Sequence, residues 1–519
     1  MTVIDAYEIQ DGELKSRVEI TENEDFVKRY NLSALRIDIG TRALLDEIKG
    51  ELISTVTLQS VEIIDPNKLQ EIKNKFYDQI VAMLQRKVPG LPEKETSLLV
   101  RFLLNEMLGL GELELLLKDD YLEDIAINTS TEPVWAYHRK HGWLKTNIVV
   151  PTEEDIKNYA GIIARRVGRQ ITNLNPLLDA HLVTQERANA VLNPISSKGN
   201  LITIRKFAKE PWTITDFINN RTLNSEVAAL LWQAIQYELN ILVSGGTGSG
   251  KTSMLSVLLP FIQPNQRIVS IEDTREIQLP KFLFWSPLTT RPPNIDKRGE
   301  ITMLDLMINS LRMRPDRIVV GEIRREREAE TLFEAMHTGH AVYATLHADT
   351  IDQTINRLKN PPINIHPSLL GAIDLNLVMF RDRRSGIRRL LQLGTYNVSE
   401  RTDVSQVRAN VLYKWNPTDD ALEPTIKAKS TAIQNKIRTY TSLTEQELND
   451  DLAQKQAILN WLVKNNTRKV DDIGRLIAEY YLDPSVIETA ANKNKPPEEL
   501  LTQTGRVETG EKPMGAKKK

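Results

Sequence analysis

Apolar residues recur at helical spacing over 68–85, where Leu69, Ile72, Phe76, Ile80 and Met83 fall on one stripe, and again over 96–108. Between them Val88-Pro89-Gly90-Leu91-Pro92 breaks the pattern and reads as a linker, and Gly109 and Gly111 end the second helix. Short β-like pieces such as 60–64 precede the first helix, so residues 1–95 are expected to form an accessory region that contacts a partner. Strand patterns follow at 125–128, 134–138, 145–149, 187–192 and 201–205, with a helical pattern at 153–167. Residues 96–207 therefore read as an α+β domain.

Residues 208–224 carry Thr213, Asp216, Asn219, Asn220 and Asn224 with little periodicity and are expected to be a hinge linker. Beyond it the pattern becomes helix, apolar strand, glycine loop and helix, with strands at 241–243, 267–271, 318–320 and 341–345. Such alternation predicts an α/β domain with a largely parallel sheet over 225–400. Strand-like pieces at 388–396 and 410–415 lead into helical patterns at 443–463 and 470–481, a mostly helical subdomain over 401–492. The segment 493–519 is rich in Lys, Pro, Glu, Gly and Thr and is expected to be disordered.

Composition narrows the chemistry. A chain of 519 residues exceeds what one core organises, and 41% hydrophobic with 26% charged residues suits several folded domains. The 67 Lys and Arg nearly balance the 69 Asp and Glu, so no global positive field draws a polyanion, and nucleic acid is not an expected partner. Cysteine is absent, which excludes disulfides, thiolate zinc sites and cysteine nucleophiles. The amino terminus lacks the basic and then apolar layout of a signal peptide and is expected to stay on the chain. No apolar run approaches the roughly 20 residues of a membrane-spanning helix, so any membrane contact is expected to be peripheral.

Candidate chemistry centres on Gly245-Gly246-Thr247-Gly248-Ser249-Gly250-Lys251-Thr252, a G-x-x-x-x-G-K-[ST] match between an apolar strand and a helical pattern. Its glycines let backbone N–H groups converge on phosphates, Lys251 brings a charge to the β- and γ-phosphates, and the Thr252 hydroxyl is placed to hold Mg²⁺. No Asn-Lys-x-Asp occurs, so a guanine-reading element is missing and ATP is the expected substrate. Arg317-Ile318-Val319-Val320-Gly321-Glu322 ends a second apolar strand in an acid that is a candidate for the metal or the attacking water. Gly321 stands where many P-loop proteins carry an Asp. Glu272-Asp273 follows another strand and is a candidate general base or water-orienting pair, with a helix N-cap by Asp273 as the alternative. His347, after the strand at 341–345, is placed to sense or stabilise phosphate, whereas His340 reads equally well as structural. Two histidines so separated make a poor zinc site.

Together the loop at 245–252, the acidic box Ile271-Glu272-Asp273-Thr274-Arg275-Glu276, the Gly321-Glu322 strand end and the histidine box at 338–348 resemble the secretion ATPase superfamily. That superfamily powers type II and type IV secretion, type IV pili and the archaeal flagellum (archaellum). Gly111-Glu112-Leu113, Asp124-Ile125, Asn128, Pro133-Val134, Tyr137-His138 and Thr146-Asn147 resemble its archaeal branch, as does the segment around Ile473, Ala478, Tyr480, Tyr481, Asp483 and Pro484. The resemblance implies an α/β fold with a RecA-like P-loop domain after an α+β amino-terminal domain, and helical extensions at both ends. It also implies a homo-hexameric Mg-ATP hydrolysing motor, cytoplasmic and peripheral to the inner face of the cell membrane, working with a polytopic membrane platform protein. Arg187 and Arg205, on strands of the domain before the hinge, match the arginines that complete the site. Gln185-Glu186 departs from the Gly that relatives often have before the first arginine. The absence of cysteine rules out the zinc insert of bacterial assembly ATPases and favours archaeal, retraction-type or conjugation members. The general base is Glu272 or Glu322. A nucleic-acid translocase and a nucleotide-gated module without turnover are the other classes that use such a loop.

Overall fold

The computed structural model describes residues 2–11, 14–22, 26–33, 38–55, 66–182, 186–206, 210–293, 298–401, 404–425 and 432–504. The strand piece expected at 60–64 and the chain after 504 lie outside the described residues. The chain divides into two units, Met1–Lys209 and Glu210–Lys519.

The first unit is built on nine strands: β1 (Thr2–Asp11), β2 (Leu14–Glu22), β3 (Arg29–Leu32), β4 (Leu122–Ile127), β5 (Trp135–His138), β6 (Gly142–Thr146), β7 (Leu177–His181), β8 (Arg187–Val191) and β9 (Leu201–Arg205). They form one sheet in the order β1-β2-β3-β6-β5-β4-β9-β8-β7, antiparallel except where β3 meets β6. The expected boundary at residue 95 therefore fails on both sides. Val18, Ile20 and Tyr30 are fully buried in the same core as Ile125 and Leu144, so strands β1 to β3 belong to the α+β sheet. Conversely, helix Glu93–Leu108 packs Val100 and Leu103 with Leu45, Ile48, Phe76 and Ile80 of helices Ile39–Thr55 and Pro66–Lys87, a separate three-helix cluster.

The second unit carries β10 (Ile241–Gly245), β11 (Ile268–Glu272), β12 (Trp285–Thr289), β13 (Arg317–Val320), β14 (Ala341–Leu346), β15 (Leu375–Arg381), β16 (Arg388–Arg401), β17 (Val404–Asn416) and β18 (Ala421–Pro424). Their order is β12-β11-β13-β14-β10-β15-β16-β17-β18, parallel as far as β15 and antiparallel beyond it. Strands β10, β11, β13 and β14 are buried at every position, as a parallel sheet covered on both faces requires. Ile241 and Val243 turn to helices Ser225–Gln236 and Lys251–Leu258, while Leu242 joins Met303, Leu332 and Ile355 on the opposite face.

Two expectations need correction here. The segment expected to be a hinge contains helix Ile214–Asn219, capped by a reciprocal Thr213–Asp216 box, and Thr215 donates to the Thr467 carbonyl at 2.6 Å. Its polar residues are caps rather than slack chain: Asn224 accepts from the Val227 N–H at 2.9 Å and starts the next helix. The carboxy-terminal helices are not a separate subdomain either. Glu445–Lys464 and Val470–Leu482 share the core of the glycine-loop face, where Trp232 stacks on Phe261 and meets Tyr480 edge-on with centroids 5.0 Å apart. Part of the segment expected to be disordered forms helix Pro497–Thr504. Among the described residues no helix is long and apolar enough to cross a membrane.

Candidate functional site

Buried strand β10 delivers the chain into the loop at Gly245, and Gly245, Gly248 and Gly250 take φ of 150°, 70° and 93°. A Cβ at Gly245 would strike the Met379 carbonyl on neighbouring β15 and stand 2.6 Å from Ser249 Oγ, so the loop closes only on glycine there. Ser249 donates to the Gly246 carbonyl at 2.8 Å, and the chain then enters helix Lys251–Leu258. Lys251 is 9% exposed and folds back over the loop, donating to the carbonyls of Gly245 (3.0 Å) and Gly246 (2.9 Å). Burial lowers its pKa below the ordinary lysine value, against the pull of Glu322, Asp349 and Glu276. Thr252 follows, half-buried, in the first turn of that helix.

Parallel pairing of β11, β13, β14 and β10 brings the carboxyl ends of these strands side by side. Glu272 ends β11 at 3% exposure, and its Oε1 accepts the N–H groups of Glu276 (2.9 Å) and Ile277 (3.1 Å). Its Oε2 is buried and accepts no hydrogen bond from the described residues. Burial pushes this carboxyl up to about 7, only partly opposed by the two N–H groups. A Cβ at Gly321 would meet Glu272 Cα and Cγ and the Ile271 carbonyl at 3.4 Å, ordinary contact distances that place position 321 against Glu272.

Glu322, one residue beyond, is held from two sides. His347 Nε2 lies 3.0 Å from Glu322 Oε1, and Arg324 reaches Glu322 Oε2 through Nε (2.7 Å) and Nη2 (2.5 Å). The other arm of Arg324 meets Asp273 Oδ2 at 2.5 Å. Asp273 also accepts from Thr290 at 3.2 Å, so it joins this network instead of capping a helix. His347 Nδ1 stands 3.3 Å from Lys251 Nζ. With an ammonium on one ring nitrogen and a carboxylate on the other, the contacts fit the neutral ring that accepts at Nδ1 and donates at Nε2. Desolvation and the charge of Lys251 lower its pKa accordingly. Residues 251, 347, 322, 324 and 273 thus form one continuous polar chain. His340 stands apart, its Nδ1 beside Thr338 Oγ1 (3.1 Å) and the Ala335 carbonyl (3.2 Å).

Arg187 and Arg205 lie in the first unit, directly opposite each other on β8 and β9. Arg187 forks onto Asp179 at 3.1 and 3.0 Å, and Arg205 bonds Asp124 at 3.1 Å. Gln185 lies outside the described residues. Sequence reasoning passed over Arg324, although it stands two residues after Glu322, because an arginine at a strand end carries no local signal of its own.

Among the described residues no group of three His, Cys, Asp or Glu is arranged to hold a metal ion. The Thr252 hydroxyl and the Glu322 carboxylate are hard oxygen donors of the kind Mg²⁺ takes alongside phosphate oxygens and water, so the set fits that ion in company with a phosphate.

The family model described as "Type II/IV secretion system protein" matches residues 148–410, a span that holds the glycine loop, Glu272, Glu322 and His347. The uncharacterized protein MJ0900 of Methanocaldococcus jannaschii is 32% identical over 416 residues, 78% of this chain and 73% of that protein. The putative conjugal transfer protein Rv3659c of Mycobacterium tuberculosis is 31% identical over 324 residues, 60% of this chain and 91% of that protein. Among solved structures, the ATPase DotB of Legionella pneumophila matches at 18% identity and a TM-score of 0.39, over 74% of this chain and 94% of that one. With about half of its length matched by the family model and the loop and its acids inside the match, the chain belongs to the type II/IV secretion system protein family.

Proposed function

We propose that this chain is an ATPase motor of a secretion or filament machine, hydrolysing Mg-ATP at the second unit. The observation that carries the proposal is the unbroken contact path from the P-loop lysine through His347 to Glu322, beside a buried Glu272 that has one oxygen to spare. A half-satisfied buried carboxylate at the carboxyl end of the same parallel sheet is the kind of perturbed group that functional sites hold.

In this reading the backbone N–H groups of 245–250 cradle the phosphates, and Lys251 exchanges the carbonyls of Gly245 and Gly246 for phosphate oxygens. Thr252 and Glu322 would hold Mg²⁺, Glu322 through the carboxylate lone pairs that Arg324 and His347 leave, and the ion would supply charge neutralisation on the phosphates. Glu272 is the better candidate for general base: its Oε2 is free to accept a proton from water, whereas both oxygens of Glu322 are engaged by Arg324 and His347. His347 links the position of Lys251 to that of Glu322. Arg187 and Arg205 add positive charge to the γ-phosphate, a role that rests on the family resemblance. As a homo-hexamer the chain would act on a polytopic membrane platform protein at the cytoplasmic face of the membrane, assembling or rotating a pilus-like filament or archaellum.

A conjugation or type IV secretion machine is a second reading. It is favoured by the mycobacterial relative and by a further one named type IV secretion system protein PtlH, of Bordetella pertussis, at 30% identity over 52% of this chain and 88% of that one. Both readings share the same chemistry. Phosphate release from Mg-ATP by the purified chain tests it: wild type should turn over, and Lys251→Ala should be slower by about 100-fold or more, the scale on which preorganised phosphate contacts act. An equal rate in the variant would remove the P-loop from the reaction.

A further inference from the structure

The hairpin of β15 and β16 carries Arg381, Arg383, Arg384, Arg388 and Arg389 within nine residues. Strand β15 pairs directly with the P-loop strand β10, which brings this turn against the loop. Arg381 and Arg388 are opposite partners in the β15–β16 register. Arg388 donates from Nε to the Gly248 carbonyl at 3.1 Å, and Arg381 Nη1 lies 2.8 Å from where a Cβ on Gly248 would be. Arg389, the next residue, is buried and forks onto Asp420 at 2.6 and 2.7 Å, which anchors the hairpin from its other side.

A cavity of about 760 Å³ opens beside the loop, lined by Gly246, Thr247 and His347 together with Arg357, Arg381 and Arg383. Asp382, the acid of the turn, is spent on the turn itself, accepting from Arg384 N (2.9 Å), Ser385 N (3.3 Å) and Ser385 Oγ (2.6 Å). Asp349 also lines the cavity. The cavity's His347 touches Lys251 and Glu322, so its inner end is the part of the site nearest the proposed reacting phosphate.

We propose that Arg357, Arg381 and Arg383 form a phosphate-binding arc, supplied by the same chain as the P-loop, that distinguishes a nucleoside triphosphate from a diphosphate. Arg388 is a positioning residue: its hydrogen bond holds the Gly248 carbonyl and with it the loop. Guanidinium groups suit the task because each offers paired N–H donors to phosphate oxygens and stays charged at any physiological pH. The proposal rests on the nucleotide-binding reading given above.

Fluorescent analogues of ADP and of a non-hydrolysable ATP, titrated with Mg²⁺ into the full chain, separate the two ideas. Arg381→Ala and Arg383→Ala should each weaken the ATP analogue by about tenfold or more, the scale of a lost charge-assisted contact, and change ADP by about twofold or less. Arg381→Lys should recover part of the loss. Arg383 is exposed on the turn, so its variant reports binding even if Arg381→Ala disturbs the fold, which a melting curve registers. Equal losses for both nucleotides, or no loss for either, would overturn the arc while leaving the P-loop reading intact. A wild-type chain that binds neither nucleotide would overturn both.

Discussion

Glu272 shows how one side chain states both a cost and a use. Its folded pKa stands near 7 against an unfolded value of 4.5, so between these limits the folded chain holds a proton that the unfolded chain releases. The sign follows: folding is unpenalised by this group below the unfolded value, and the penalty grows as pH rises and is complete above about 7. Relative to wild type, Glu272→Gln should therefore gain stability between pH 5 and pH 8, by up to about 3 kcal/mol at 1.36 kcal/mol per pKa unit. Denaturant melts at the two pH values measure this, and a difference that does not change with pH would mean the carboxyl is not held in that state. The acids and the histidine of the site were legible because each closes an apolar strand. Arg324, Arg381 and Arg388 were not, since Arg324 joins Glu322 to Asp273 at the end of another strand and Arg381 and Arg388 reach a loop more than 100 residues away in sequence.

At the scale of elements the strongly periodic segments read correctly and the weakly periodic ones did not. The buried strands β10, β11, β13 and β14 announce themselves as short apolar runs, and the helices at 66–87 and 445–464 by their spacing. Strands β1 to β3 carry no local sign that they will join β6 more than 100 residues later, because pairing partners are chosen by the face they bury. Helix Ile214–Asn219 was missed for the opposite reason: it is one and a half turns long, and its caps have the composition of a loop. The capping box gives a direct check. Thr213→Ala removes the acceptor for the Asp216 N–H and the side-chain contact to Asp216, and should cost about 1 kcal/mol in equilibrium unfolding. A cost near zero would return the segment to the status of a loose linker.

At the scale of the molecule, the order of an α+β region and then an α/β region was visible in the change of pattern near residue 225, but the limits of each were not. Lys455 illustrates why. Fully buried, it bonds Asp451 and faces the rings of Trp232 and Tyr480 at 5.5 and 5.2 Å, so a helix that reads as a separate extension is fixed to the P-loop unit through a charge. Long-range contacts of this kind decide unit boundaries, and amphipathic spacing alone cannot distinguish a helix that covers a sheet from one that stands on its own. The first unit has the same lesson in Tyr7 and Tyr30, which reach across the chain to donate to the buried Asp119 at 2.7 and 2.8 Å. In the proposed reading the second unit cleaves ATP with Glu272 as base. A single-turnover assay with labelled ATP and excess protein tests it most directly. Wild type should convert the bound ATP to ADP, while Glu272→Gln should bind it and return it intact; conversion by the variant at the wild-type rate, or none by wild type, would contradict the account.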